Sequence, residues 1–314
     1  MKIKDLVFKE FVKNGYAESN GNRVWNIAQR KFLYLTPELA KGFLNLRNFD
    51  RYRKIVVEKE INLIKSNARR IAEDIGDESF NLIDMFCGDG TKAKEFFKAL
   101  NGKAKVRYCP VNVSKYLVNL SLKNVKKEKF ENVKDYKPYF FNGDAKLFEQ
   151  FLVTVRGSKY QRNVILILGS VLASYDINDF LYRLSNIMLQ GDYVVIGNGV
   201  RRGKRLVSLE TYKHNIFDQW FIHLMRGVGF KDKEIKYDAR FGNSRVEMFY
   251  KIQCEKKIKH KGKEIKLNKG DEVLVATLYK YYAKELNKFC KMYFKEVDLV
   301  KDSDGEYALV ICRK

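Results

Sequence analysis

The sequence predicts a doubly wound α/β fold, and three observations carry the prediction. Between residues 80 and 200 five apolar runs of strand length recur, amphipathic stretches separate them, and the first run ends in a two-glycine turn that opens a helical pattern. Strands that read as near-continuous apolar runs belong to parallel sheets buried on both faces.

Taken in order, residues 1 to about 75 read mainly as helix, and KIVVEKEINLIKSNARRIAEDI carries a long 3.6-residue pattern into the Gly76-Asp77 turn. The core then alternates: NLIDMF and TKAKEFFKAL; KVRYCPVNV and KYLVNLSLKNV; YFFNGDA and KLFEQFL; NVILILGS and DFLYRLSNIML; and finally DYVVIGNGV. The helix over Tyr116–Val125 places Leu117, Leu120 and Val125 on one face, with Ser114 as its expected N-cap. After RRGKR (201–205) comes a helical stretch, SLETYKHNIFDQWFIHLMRGVG, followed by strand candidates EIKYDARFG, RVEMFYKIQC, EKKIKHKGKEIKL and DEVLVAT. A helix, YKYYAKELNKFCKMY, and two strands, EVDLV and YALVICR, joined by the Lys301–Gly305 turn, close the chain. The expected division is an α/β sheet domain over 61–200 and 279–314, with 1–60 and 201–278 forming a second α+β domain suited to act as a lid.

Composition excludes several classes. With 46% hydrophobic and 14% aromatic residues over 314 positions the chain can bury a sizeable core. No run approaches the ~20 apolar residues that a membrane helix needs, and MKIKDLVFKEFVKNGY lacks the apolar block of a signal peptide, so a cytoplasmic protein is expected. Five dispersed cysteines without a CxxC pair and three histidines without metal-ligand spacing predict neither a disulfide framework nor a metal site. A formal charge of +23 makes RNA a possible partner, although abundant Lys, Ile and Asn beside three prolines is also the drift of an AT-rich genome.

The chemistry-bearing stretch is Ile83-Asp84-Met85-Phe86-Cys87-Gly88-Asp89-Gly90-Thr91. Glycines admit a ligand close to the backbone, and the helix start offers free N–H groups. A P-loop would need GxxxxGK[ST] and a dinucleotide fingerprint a third glycine; neither is present. The later strands end in Asn112, in Asn142-Gly143-Asp144 and in Gly169-Ser170. Ligands of open α/β sheets bind outside the carboxyl ends of the strands, so these loops converge on one crevice. A plain glycine turn with Asp84 as a polar strand end, and Asp144 as a turn former, is the competing structural reading.

The D-x-x-C-G-x-G spacing resembles the first motif of class I S-adenosylmethionine-dependent methyltransferases, with Phe86 where a first glycine often stands. The ordered set IDMFCGDGTKAKEFFKAL, YCPVNVSKYLV, FNGDAKLF, ILGSVLASYD, GDYVVIGNGV, SRVEMFY and KGDEVLVATLYKYY resembles, over most of residues 45 to 314, the histidine-specific methyltransferase family. That family's known activity is Nα-trimethylation of histidine in ergothioneine synthesis. The resemblance implies a Rossmann-like class I methyltransferase sheet, with a second domain built from the N-terminal segment and an insertion after the fifth strand. It implies S-adenosyl-L-methionine as cofactor, with Asp84, Phe86, Gly88, Gly90, Asn112, Asp144, Gly169 and Ser170 around it. On the substrate side it points to Ser174, Asn198, Glu247 and Tyr279, with Tyr52 in FDRYR and Tyr212 in ETYKHN as the substrate-facing, catalytic tyrosines.

Departures from the family pattern redirect the substrate. The ribose-binding acid is Asn112 here, the asparagine that holds histidine's amino group is Ser174, and the acid and serine that recognise imidazole are Ala276 and Leu278. The expected function is therefore methylation of an amine on a small molecule or polypeptide other than free histidine. Two alternatives stay open. DMFCGDG also resembles RNA methyltransferases with a DLFCGxG motif, although no [DNS]PP[YFW] platform exists, and the altered positions suit a degenerate methyltransferase acting as a binding or scaffold subunit.

Overall fold

A computed structural model describes residues 3–19, 21–76, 78–100, 104–140, 145–203 and 209–314. The chain divides into two compact units, one of residues 1–51 with 205–280 and one of residues 52–204 with 281–314.

The second unit is built on a sheet whose strands are β1 (Phe80–Met85), β2 (Val106–Asn112), β3 (Val133–Tyr136), β4 (Arg162–Ile167), β5 (Tyr193–Gly199), β6 (Glu296–Lys301) and β7 (Tyr307–Arg313). Their spatial order is β3-β2-β1-β4-β5-β7-β6. The first five are mutually parallel, and β7 runs antiparallel to both β5 and β6. The mixed α/β class is as predicted.

Burial on both faces explains why these strands carry apolar runs. All six residues of β1 are buried. Leu82 packs with Leu63, Ile64, Phe96 and Phe97, from the helices α1 (Lys59–Ile75) and α2 (Thr91–Ala99). The neighbouring Ile83 faces the other way, toward Leu152, Leu181 and Leu286. Those residues sit on three further helices, Ala145–Thr154, Ile177–Ile187 and Ala283–Lys291. Helix α1 continues a π-helical stretch over Arg53–Glu58, and Lys59 Nζ meets Asp302 at 2.9 Å, Asp304 at 2.8 Å and Glu306 at 3.0 Å. Although burial opposes it, these acids raise the Lys59 pKa, so the start of α1 is pinned to the β6–β7 turn by a fixed charge.

Two local expectations are corrected. The third sheet strand is Val133–Tyr136, and the described part of the YFFNGDA run contributes a short strand, Tyr139–Phe140, paired with Val111 and Asn112. Pro138 has no N–H to offer a ladder, and β3 is an edge strand whose VKDY sequence carries no apolar run. Ser114 has the extended backbone of an N-cap but makes no side-chain capping bond, and its helix runs over Lys115–Lys127.

The first unit holds a five-stranded sheet in the order Tyr16–Ser19, Asn22–Asn26, Glu272–Tyr279, Arg245–Ile252, Ile235–Gly242. The segment before residue 75 is thus not purely helical. It supplies helices Ile3–Asn14 and Pro37–Asn48 and a polar, largely exposed hairpin that a hydrophobic pattern does not reveal. Val24–Asn26 pairs in parallel with Glu272–Leu274, joining segments nearly 250 residues apart. Gly42 permits the helix Pro37–Asn48 to approach Asn215–Val228, since a Cβ there would lie 2.9 Å from Trp220 Cδ1.

Asp271 locks the two segments together. Its carboxylate accepts from Arg23 Nε at 3.0 Å and Nη2 at 2.5 Å, from Trp25 Nε1 at 3.0 Å and from the Asn268 N–H at 2.9 Å. Burial alone would raise its pKa, but these donors outweigh burial and hold it below the ordinary aspartate value. Asp271→Ala should therefore cost about 3 kcal/mol at neutral pH, by leaving Arg23 and Trp25 without their acceptor. A depressed pKa stabilises above the unfolded value of about 4 and loses that stability as pH falls through the folded one. Urea titrations of wild type and variant should differ most at pH 7 and converge below about pH 4.

Candidate functional site

The predicted cofactor residues that the structure describes lie at the carboxyl ends of β1, β2 and β4, and the substrate-side Asn198 lies at that of β5. The strand order reverses between β1 and β4, the switch point at which such sheets open a crevice. The loops after β1 and β4 turn by left-handed backbone. After β1, Phe86 has φ 62°, Gly88 φ 56° and Gly90 φ 80°; after β4, Gly169 has φ 80° and Ser170 φ 57°. Gly90 is fixed by space as well, because a Cβ would stand 2.6 Å from Ser121 Oγ. For Phe86 and Ser170, with side chains, this conformation costs roughly 1–2 kcal/mol each. The Phe86 N–H is held by Val111 O at 2.7 Å and the Ser170 N–H by Gly197 O at 3.0 Å.

Asp84 is buried, and its Oδ2 accepts from Tyr108 Oη at 2.8 Å; Tyr108 Oη also lies 2.5 Å from Ser121 Oγ. Burial first and Asp84 second raise the Tyr108 pKa well above its ordinary value, and the same two causes raise that of the Cys87 thiol. Cys87 is therefore a neutral thiol rather than a nucleophile at the mouth of the glycine turn. Asp89 shapes that turn by accepting from the Thr91 N–H at 3.0 Å, while its own carbonyl accepts from Asn124 Nδ2 at 3.0 Å. Asn112, at the end of β2, spends Oδ1 on the Ser114 N–H at 3.0 Å. Its remaining polar atom, Nδ2, is a donor, where an aspartate would offer a second acceptor.

The loop after β4 is knitted to β5. Ser170 Oγ accepts from the Gly199 N–H at 2.9 Å. The Gly169 N–H donates at 2.7 Å to Glu60 Oε1, a residue the sequence analysis did not single out. Glu60 is completely buried, accepts from Tyr307 Oη at 2.8 Å and is ion-paired with Lys92 in the first turn of α2. Ser174 lies in a 3-10 turn just beyond this loop. Asn198 is buried on β5, donates to Gly199 O at 2.9 Å and leaves Oδ1 without a partner among the described residues. Tyr52 ends the helical turn that leads into the π stretch, and its proximity contributes to raising the Tyr307 pKa, for which burial and then Glu60 are the larger causes.

Other predicted residues belong to the first unit. Glu247 sits between two guanidiniums, Arg240 Nε at 2.8 Å and Arg245 Nε at 2.8 Å; they outweigh burial and lower its pKa. Arg245 also stands opposite Tyr279 in the sheet, which brings Tyr279 beside the Glu247 cluster. Tyr212 is buried, and its hydroxyl accepts from the equally buried Lys280 Nζ at 2.6 Å. Ala276 pairs with Met248 and Leu278 with Val246, placing all four on one apolar face of the sheet. Asp144 lies outside the described residues. Among those described, no cluster of His, Cys, Asp and Glu could hold a metal ion, and no helix is long and apolar enough to cross a membrane.

The family model described as "Histidine-specific methyltransferase, SAM-dependent" matches residues 49–314. No curated protein matches the chain. Solved structures to which the chain is matched include magnesium protoporphyrin IX methyltransferase from Synechocystis PCC 6803 with bound S-adenosylhomocysteine, 11% identical. It is matched over 88% of this chain and 98% of its own at a TM-score of 0.44. Another is the Burkholderia thailandensis 1,6-didemethyltoxoflavin-N1-methyltransferase, 9% identical, matched over 88% and 87% at 0.41. A third is the mitomycin 7-O-methyltransferase, 11% identical, matched over 80% of this chain at 0.40; the chain spans only 54% of its length.

Gly90→Ala should lower stability by about 2 kcal/mol or more, from the left-handed backbone and the contact with Ser121. Thermal unfolding should report it as a fall of several degrees.

Proposed function

Because the chain belongs to the histidine-specific, S-adenosylmethionine-dependent methyltransferase family, we propose that it transfers a methyl group to an amine on a small molecule or polypeptide other than free histidine. The observation that carries this reading is the apolar face formed by Val246, Met248, Ala276 and Leu278. Ala276 and Leu278 stand at the positions the family resemblance gives to imidazole recognition, and neither has a polar atom to offer an imidazole N–H or nitrogen lone pair. A site that cannot satisfy a buried polar group rejects the ligand that brings one.

On this reading the loops after β1, β2 and β4 hold the methyl donor. Gly88 and Gly90 line its methionine portion, Asp84 contacts its amino end and Asn112 its ribose. The residues fit such a group: the Gly88 N–H makes no backbone hydrogen bond among the described residues, Asp84 retains its buried carboxylate, and Asn112 Nδ2 can donate to a ribose oxygen. The bound cofactor supplies an activated methyl on a sulfonium, so the protein's task is alignment and the exclusion of water. Cys87, held as a neutral thiol, supports direct transfer over a covalent enzyme intermediate.

Incubation with methyl-labelled S-adenosylmethionine tests the acceptor. Label should pass to amines of small molecules or polypeptides and not to free histidine; efficient histidine labelling would overturn the reading. Asn112→Asp should tighten S-adenosylhomocysteine binding about tenfold in calorimetry. The new carboxylate oxygen would accept a charge-assisted bond from the ribose while the other keeps the Ser114 N–H. Weaker binding would show that Asn112 does not face the ribose.

A further inference from the structure

We propose that Glu60 is a positioning residue of the methyl-donor site, setting the distance between the loops after β1 and β4; this rests on the reading that those loops hold the donor. In sequence Glu60 is one acid in a charged amphipathic helix, where a solvated carboxylate is the ordinary outcome. In the fold it is wholly buried at the carboxyl end of the sheet. A buried carboxylate is unfavourable unless donors surround it, so each donor it recruits is held in place by the same energy.

The donors come from different elements. One oxygen takes the Gly169 N–H at 2.7 Å and Tyr307 Oη at 2.8 Å. The other faces Lys92 Nζ, one residue into the helix that the glycine turn opens. Lys92 Nζ in turn stands 3.0 Å from the place a Gly169 Cβ would occupy, so the ion pair spans the gap between the two loops. The sheet has been shaped to admit the carboxylate: a Cβ on Gly197 would lie 1.9 Å from Glu60 Oε1, which no side chain at that position tolerates. Ser170 lies close enough to Tyr307 to lower the phenol's pKa against the larger effects of burial and Glu60. Lys59, the residue before Glu60, is itself anchored to Asp302, Asp304 and Glu306, fixing where α1 begins and hence where Glu60 points. Ser170 and Phe86, the two non-glycine residues in left-handed backbone after β4 and β1, sit on the loops so tied. Strained backbone of this kind persists only where surrounding contacts over-determine it.

The test is calorimetric titration with S-adenosylhomocysteine of wild type, Glu60→Gln, Glu60→Leu, Gly88→Trp and Asn81→Ala, each well below its own unfolding temperature. Glu60→Gln keeps the volume and one acceptor but turns an amide NH2 toward the Lys92 ammonium; Glu60→Leu removes every donor's partner. Asn81 is an equally buried polar residue at the opposite end of β1, bonded to Asn163 Oδ1 at 3.0 Å, and controls for a purely structural loss. The expected result is an affinity about tenfold weaker in Glu60→Gln and weaker still in Glu60→Leu. Asn81→Ala should unfold at lower temperature yet bind within about twofold of wild type. Should Glu60→Leu not fold, Glu60→Gln alone carries the comparison. Wild-type affinity in the Glu60 variants, with binding lost in Gly88→Trp, would overturn the positioning role and leave the donor site standing. Undiminished binding in Gly88→Trp would overturn the donor site itself, and the positioning role with it.

Discussion

A parallel sheet covered on both faces can present a ligand site only at its ends, and the rest of the second unit follows from that constraint. The order β3-β2-β1-β4-β5 parts the connections after β1 and β4 to opposite faces, which opens a crevice between two adjacent strand ends. Each connection must then leave its strand within a residue or two, and left-handed backbone at Phe86, Gly88, Gly90, Gly169 and Ser170 is how it does so. The ordered core beneath supplies what holds these turns: Val111 O for Phe86, Gly197 O for Ser170 and the buried Glu60 carboxylate for Gly169. Apolar burial of β1 on both faces thus does more than stabilise the sheet. It makes the strand ends stiff enough to define a site.

Much of this was legible in the sequence, for physical reasons that also mark the limit. Strands β1, β2, β4 and β5 announce themselves because burial on both faces demands apolar residues throughout. The edge strand β3, half exposed and spelled VKDY, makes no such demand, and the apolar signal lies instead in the neighbouring YFF run. The hairpin Tyr16–Asn26 was illegible for the same reason: its first strand is exposed along its whole length. At the site, Asp84, Gly88 and Gly90 stand out as an acid and glycines at a strand end, whereas Glu60 could not. Its partners are a backbone N–H some 110 residues away, a phenol in the last strand and a lysine in the next helix, and none leaves a local mark. Gly197 was the one available trace, a glycine in mid-strand, which signals close approach of another group.

The family relationship and the departures from it bear on different parts of the molecule. By the family resemblance the crevice has the acid Asp84, the glycine turn and the β4 loop, with Phe86 in place of a first glycine and Asn112 in place of an acid. On the proposed reading the substrate side is aliphatic, Ala276 and Leu278 beside Val246 and Met248, where the family resemblance implies hydrogen-bonding residues. Asp84 and Glu60 are each unfavourable to bury without donors around them, and Tyr108 on one and the Gly169 N–H and Tyr307 on the other supply those donors.

The most direct measurement of the account is equilibrium binding of S-adenosylmethionine and S-adenosylhomocysteine to the purified, nucleic-acid-free wild-type protein by calorimetry. The account predicts one site per chain with micromolar affinity for both. Absence of binding up to millimolar ligand would contradict it and leave a methyltransferase fold serving as a binding subunit.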